Sequence, residues 1–168
     1  TVGAKGQLVC LNKETGEKMW AHDLWEEFGA KPGNRGYASS PIVHKANLIV
    51  QVGGKSKGIV AFDLKTGKVA WSGGDFQGAY CSPIVINVDG QDQLILFVEN
   101  LAVGMDPTSG EVLWQHDHET RYKLNISTPI WGEHNLLFLS SAYDTGSRVL
   151  HLSQKDGKTT VEEKWYNR

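Results

Sequence analysis

The chain has 168 residues, of which 40% are apolar, so it is long enough to bury a core and has the composition of a globular protein. Its 17 basic and 19 acidic side chains leave a net charge of −2, which gives no general attraction to nucleic acid or to an anionic membrane. The longest apolar stretches, such as Leu94–Val98, have the length of a strand and are far too short to be transmembrane segments.

The first predicted elements are two strands joined by a tight turn, and the second strand ends in a tryptophan. This pattern is repeated along the chain. The copies are residues 8–20, 59–71 and 102–114, with a weaker fourth copy at 149–157 whose tryptophan comes late, at Trp165. The turn glycines recur at intervals of 43 to 51 residues: Gly16, Gly67, Gly110 and Gly157. Such spacing, with four short strands in each interval, is typical of the blades of a β-propeller.

The turn in each copy has a local physical reason. A short polar residue stands four positions before each glycine: Asn12, Asp63, Asp106 and Ser153. Its side chain can accept hydrogen bonds from the N–H groups of the turn. The glycine supplies the residue with positive φ in a type I turn that ends in a β-bulge, a conformation that other residues adopt only at a cost.

A second marker has the same period. Each interval contains a Ser-Pro or Thr-Pro pair followed by apolar residues, at Ser40-Pro41, Ser82-Pro83 and Thr128-Pro129. Proline is tolerated at the first residue of a strand, where its missing N–H leaves no ladder bond unmade. Two markers with one period make the repeat unlikely to arise by chance, and they predict an all-β chain that forms part of a β-propeller.

Taken in order, residues 7–24 are predicted to form the last two strands of a half blade. A long connection follows at 25–37, with one helical turn near Trp25–Phe28, and whole four-stranded blades are predicted at 38–73, 81–117 and 127–166. A ring of this kind needs four to eight blades. We therefore expect the remaining blades to lie outside this chain.

The segment Ala61–Trp71 resembles the tryptophan-docking repeat of the PQQ-like, or quinoprotein-like, β-propellers, and the resemblance extends from Leu8 to Trp165. It implies an eight-bladed propeller in a bacterial protein that is periplasmic or secreted. It also implies that the repeat tryptophans dock between adjacent blades: Trp20, Trp71, Trp114 and Trp165.

The family that this chain resembles contains two functional kinds. Some members are alcohol or sugar dehydrogenases that hold pyrroloquinoline quinone and calcium in the central funnel, and these commonly carry adjacent cysteines. Others keep the propeller without a cofactor, such as the outer-membrane assembly lipoprotein. This chain has only two cysteines, Cys10 and Cys81, far apart in sequence. We therefore expect a non-catalytic scaffold without a cofactor, with a fragment of a quinone-dependent dehydrogenase as the alternative.

In a propeller, the connections entering each blade and those joining its second and third strands lie on one face, opposite the Thr-Gly turns. This loop face collects aromatic and charged residues that are candidates for binding a protein or a small ligand: Arg35, Tyr37, Tyr80, Arg121, Tyr122 and Asn125. Binding residues are often found on loops held by a rigid scaffold. The alternative is that these side chains only pack the loops against the rim.

Two local motifs are candidates for chemical sites. His116 and His118 are two residues apart and would face the same side of a strand, but the sequence offers no evident third metal ligand, so no metal site is predicted. Asn125-Ile126-Ser127 fits the sequon for N-glycosylation, which often goes unused. Neither motif identifies a reaction, and no catalytic residue is predicted.

Overall fold

A computed structural model describes residues 1–30 and 35–168. The predicted connection at 25–37 is therefore described only in part, because residues 31–34 lie outside the described residues. Its helical turn is present as α1, Leu24–Phe28, which follows the second strand directly. Asp23 caps α1 by accepting hydrogen bonds from two backbone N–H groups of its first turn.

The described residues form fourteen strands and almost no helix. In chain order the strands are β1 Gln7–Leu11, β2 Lys18–Asp23, β3 Ile42–His44, β4 Asn47–Gln51, β5 Ile59–Asp63, β6 Val69–Gly73, β7 Ile84–Val88, β8 Gln91–Val98, β9 Leu101–Met105, β10 Val112–Asp117, β11 Ile130–Trp131, β12 Leu136–Ser141, β13 Gly146–Lys155 and β14 Lys158–Asn167. A short 3₁₀ turn, Glu133–Asn135, precedes β12. Each predicted Ser-Pro or Thr-Pro marker lies immediately before the first strand of a sheet.

The strands form one two-stranded sheet, β1-β2, and three four-stranded sheets with the orders β3-β4-β5-β6, β7-β8-β9-β10 and β11-β12-β13-β14. We number these sheets first to fourth in this order. Every pairing is antiparallel and joins strands that are neighbours in sequence. This up-and-down order is that of a propeller blade, so the predicted fold class, an all-β partial propeller, is confirmed. The four sheets do not close a ring.

The core lies between the sheets and not within any one of them. In β8, Ile95 and Phe97 pack towards the fourth sheet, whereas Leu94, Leu96 and Val98 pack towards the second. All five side chains are at most 1% exposed. Successive residues of a strand point to opposite faces, so an inner strand that is apolar at every position needs a neighbour on each side.

The first three Thr-Gly or Ser-Gly turns have the predicted geometry. Asp63 accepts hydrogen bonds from the backbone N–H and the hydroxyl of Thr66, at 2.8 and 2.7 Å, and these bonds lower the pKa of its carboxyl group. Asn12 and Asp106 accept from their own turns in the same way. Each glycine has a positive φ, and the ladder shifts by one residue nearby, as expected for a bulge.

The fourth turn is different, and the prediction for Ser153 was wrong. Ser153 pairs with Thr160 inside the ladder of β13 and β14, so it does not cap a turn. The strands are joined instead by the two residues Asp156 and Gly157, both with positive φ (51° and 76°). A two-residue turn of this kind matches the twist of long paired strands, which is why Asp-Gly can replace the longer turn here.

Candidate binding face and the contacts that hold it

Two tryptophans lie against the turn glycine of the following sheet. The Trp20 indole donates its N–H to the carbonyl of Leu64 at 3.0 Å, and a Cβ placed on Gly67 would lie 2.8 Å from the indole ring. The Trp71 ring lies on Gly110 so closely that a Cβ on that glycine would overlap it. Gly67 and Gly110 are therefore covered by an indole, whereas no atom of the described residues lies within 4 Å of such a Cβ on Gly16.

Trp114 departs from this arrangement. Its indole lies on Gly104 of its own sheet and donates its N–H to Gln93 at 2.7 Å. The amide of Gln93 in turn donates to the hydroxyl of Thr159 on β14, also at 2.7 Å. One polar link between the third and fourth sheets therefore runs through a glutamine, and no indole of the described residues lies on Gly157. Trp165, on β14, is 46% exposed.

The six candidate residues of the loop face do not form one patch. Tyr37 donates its hydroxyl to the carbonyl of Val52 at 3.0 Å, and burial, together with the negative charge of Asp23, raises its pKa to about 12. Tyr37 and Tyr80 line the same narrow cavity, and Arg35 is exposed. Tyr37 therefore holds its loop in place, as expected if these side chains pack the loops against the rim.

Asn125 is a structural residue of the loop face. It is 1% exposed, its amide nitrogen donates to the carbonyl of Glu99 at 2.9 Å, and its amide oxygen accepts from Ser141 at 2.7 Å. Its own carbonyl accepts from the backbone N–H of Cys81. Both ends of the side chain are thus occupied in the fold, so the sequon amide is not available for a glycan in the folded chain.

Arg121 and Tyr122 lie in an exposed cluster with Tyr143. The Arg121 guanidinium lies 5.4 Å from the centre of the Tyr122 ring, and the Tyr122 and Tyr143 rings meet edge to face at 5.0 Å. Tyr122 is 57% exposed and Tyr143 is 47% exposed. Large side chains that pack on one another and still face solvent form a preformed surface for a partner.

Two adjacent cavities open beside this cluster, and we call them together the loop-face cleft. The first, of about 530 Å³, is lined by Glu119, Thr120, Arg121, Tyr143, Asp144, Thr145, Tyr166 and Arg168. The second, of about 690 Å³, is lined by Gln115, His116, Asp117, Glu119, Arg148 and Tyr166. Glu119 and Tyr166 belong to both, so they stand between the two cavities. The Tyr166 ring is fixed by a hydrogen bond from its hydroxyl to the Thr145 carbonyl, at 2.9 Å.

A buried chain of hydrogen bonds supports the cleft from below. The Arg148 side chain donates to Nδ1 of His118 at 2.8 Å, and Nε2 of His118 lies 3.1 Å from the hydroxyl of Ser141. Ser141 in turn donates to Asn125, and Arg148 also forms an ion pair with Glu163. Because His118 accepts from Arg148, its imidazole is neutral and donates through Nε2. This chain ties the loop at 118–125 to the hairpin that carries Tyr143.

Burial, with the positive charges of Arg148 and His116 adding to it, lowers the pKa of His118 to about 4. The unfolded chain binds this proton near pH ~6.5, so the stabilisation from neutral His118 is complete above that pH and is lost as the pH falls towards 4. We expect the free energy of unfolding to fall in this window by roughly 1 kcal/mol per pH unit. Denaturant titrations should show this fall in the unaltered protein and a smaller one in His118→Gln. An identical pH dependence in both would contradict the assignment.

Most residues that line the cleft were not predicted from the sequence. Tyr166 lies near the end of β14, Arg168 follows that strand, and Arg148 lies near the start of β13, where it pairs with Tyr166 across the ladder. The only available signal was the run of charged and aromatic residues at the end of the chain. The His116-Asp117-His118 motif does not gather metal ligands, because His118 is buried in the hydrogen-bonded chain. No group of three metal-ligating side chains occurs within residues 1–30 and 35–168.

The cysteines and carboxylates bear on the dehydrogenase alternative, which would need a site for a quinone and calcium. Cys10 lies on β1 and Cys81 lies in the connection before β7, and both are free thiols. Burial raises the pKa of the Cys81 thiol to about 12, and this thiol donates to the carbonyl of Phe97. The described part of the chain has neither an adjacent cysteine pair nor a group of three metal-ligating side chains that could hold calcium.

The repeat and the sheets are those of a known family. The family model PQQ_2, described as outer membrane protein assembly factor BamB, matches residues 1–127 of the 168. The chain therefore belongs to this family of PQQ-like propeller proteins. No curated protein matches it.

A solved structure with a similar trace is that of a europium-containing methanol dehydrogenase, at 11% sequence identity and a TM-score of 0.43. The similarity covers 95% of this chain and 54% of that enzyme, so the chain spans about half of the enzyme's length. No helix among the described residues has the length and apolar character needed to cross a bilayer.

Proposed function

We propose that this chain is part of a non-catalytic, extracytoplasmic propeller that binds a partner protein through the loop-face cleft. The observation that carries the proposal is the exposed cluster of Arg121, Tyr122 and Tyr143 at the edge of the cleft. Tyrosine and arginine dominate the binding energy of protein interfaces, because each offers a large contact area together with polar groups. The family name, that of an outer membrane protein assembly factor, supports a role in assembly and a location outside the cytoplasm.

The way in which the cluster is held supports the same proposal. Its loops are fixed from below by buried hydrogen bonds of His118 and Asn125, so their geometry does not have to be ordered when a partner arrives. A preorganised surface loses less conformational entropy on binding. A binding role of this kind needs no group that reacts, and we propose that the chain uses no quinone.

Site-specific photo-crosslinking in the full-length protein tests this function. A photoreactive phenylalanine is placed at Tyr122 and, as a control, at Met19, which is 56% exposed near the opposite, Thr-Gly turn face. We expect one discrete protein adduct from position 122, none from position 19, and loss of the adduct when Arg121 and Tyr143 are replaced by alanine. We also expect the crosslinked partner to be a protein of outer-membrane assembly.

Two results would count against this function. Equal crosslinking from both positions, or none from position 122, would show that the loop face is not a specific binding surface. Dye-linked alcohol oxidation by the full-length protein after addition of pyrroloquinoline quinone and calcium would favour the dehydrogenase alternative.

A further inference from the structure

The charges in the second cavity of the loop-face cleft are not balanced. Arg148 is neutralised by its ion pair with Glu163 and is bonded to His118, and His116 lies 3.9 Å from the same Glu163 carboxylate. Asp117 and Glu119 are exposed, and their carboxylates have no ion pair or hydrogen bond with any other side chain of the described residues. The cavity of about 690 Å³ is therefore acidic, and its charge complements a cationic group.

The walls of this cavity include two outer strands. Gln115, His116 and Asp117 belong to β10, and Tyr166 belongs to β14, and each of these strands is the last of its sheet. Their outer N–H and C=O groups have no strand partner within the part of the chain that the structure describes. An outer strand with unpaired backbone groups is a template for an added extended segment.

The shape of the cleft also favours an extended occupant. The two cavities lie side by side and share Glu119 and Tyr166, so the cleft is elongated. The first cavity carries charges of both signs, from Arg121, Arg168 and Asp144 along with Glu119, whereas the second carries unpaired negative charge. Side chains of an extended segment that are two residues apart lie about 7 Å from one another on the same side. Neighbouring positions of one segment can therefore occupy both cavities.

We propose that the loop-face cleft binds an extended segment of the partner protein and that a lysine or arginine side chain of this segment enters the cavity lined by Asp117 and Glu119. The inference rests on the proposed function and specifies the chemistry of the partner. Each ion pair at the rim would contribute modestly on its own. A guanidinium or ammonium group that reaches both carboxylates gains charge-assisted hydrogen bonds, which are the stronger kind.

The test uses synthetic β-forming hexapeptides that differ at one central residue, which is Arg, Lys, Gln or Glu. Their binding to the full-length protein is measured by fluorescence anisotropy at low and at high salt. We expect the Arg and Lys peptides to bind roughly tenfold more tightly than the Gln peptide, as one charge-assisted bond allows, and the preference to weaken with salt. The double variant Asp117→Asn/Glu119→Gln should lose the preference.

A matched control changes the net charge equally on the opposite face. Glu14→Gln/Glu17→Gln removes two carboxylates near the first turn and should leave the peptide preference unchanged. Unaltered unfolding curves would show that both variants are folded. Three results would overturn the inference: no peptide binding at all, affinity independent of the central residue, or equal loss of the preference in both double variants. If position 122 still crosslinks to a partner in that case, the proposed function stands and only the cationic segment is wrong.

Discussion

Gly110→Ala is expected to destabilise the protein strongly, because the substitution introduces two separate faults. Gly110 has a φ of +77°, a conformation that costs an L-residue about 1–2 kcal/mol. The new methyl group would also overlap the Trp71 ring, and displacing a packed side chain costs about 1–3 kcal/mol more. Equilibrium unfolding by denaturant measures the sum.

Gly16→Ala is the matched control for this prediction. Gly16 occupies the same position in the first turn with a φ of +74°, but no atom lies within 4 Å of an added Cβ. We expect this variant to show only the backbone cost of about 1–2 kcal/mol. Equal destabilisation by the two substitutions would show that the indole does not constrain Gly110.

Trp114→Ala is expected to cost about 3–5 kcal/mol of unfolding free energy, the usual range for a buried tryptophan. The indole is 7% exposed and packs in the cluster between the third and fourth sheets. Its removal also leaves the Gln93 carbonyl without its donor and weakens the link through Gln93 to Thr159. The loss of stability should therefore be localised at the junction of the third and fourth sheets.

Hydrogen exchange locates the effect of this variant. Amides of β8 and β14 should lose protection in Trp114→Ala, whereas those of β4 and β5 in the second sheet should keep it. Trp165→Ala provides the comparison, because that side chain is 46% exposed and its loss should cost about 1 kcal/mol or less. Equal losses of unfolding free energy in the two variants would show that the burial of each indole does not determine how much it contributes to stability.

The sequence was sufficient to predict the sheets, because the information for them is local and repeated. A strand that is apolar at every position, such as Leu94–Val98, requires cover on both faces, and the Thr-Gly and Ser-Gly turns determine where one strand ends and the next begins. The fourth turn escaped the prediction because the sequence carries both Ser153 and Asp156-Gly157. The pairing of the long strands β13 and β14 decides between them.

The binding face was harder to predict, because its character depends on contacts between residues far apart in sequence. Asn125 and Tyr122 looked equivalent as polar or aromatic loop residues. Asn125 is buried and bonded to Ser141 and Glu99, whereas Tyr122 is exposed beside Tyr143. No local pattern encodes those partners. The cleft also takes residues from β13 and β14, which the spacing of the repeat places in a blade and not on a loop.

The packing of the first three sheets as consecutive blades depends on an indole from one sheet resting on the turn glycine of the next. A double-mutant cycle between Trp71→Ala and Gly110→Ala tests it most directly. We predict that in the Trp71→Ala background Gly110→Ala costs no more than Gly16→Ala, because the overlapping ring is gone. If the extra cost of Gly110→Ala persisted in full without the indole, Trp71 would not be the side chain that constrains Gly110, and the contact between these two blades would not be the one described.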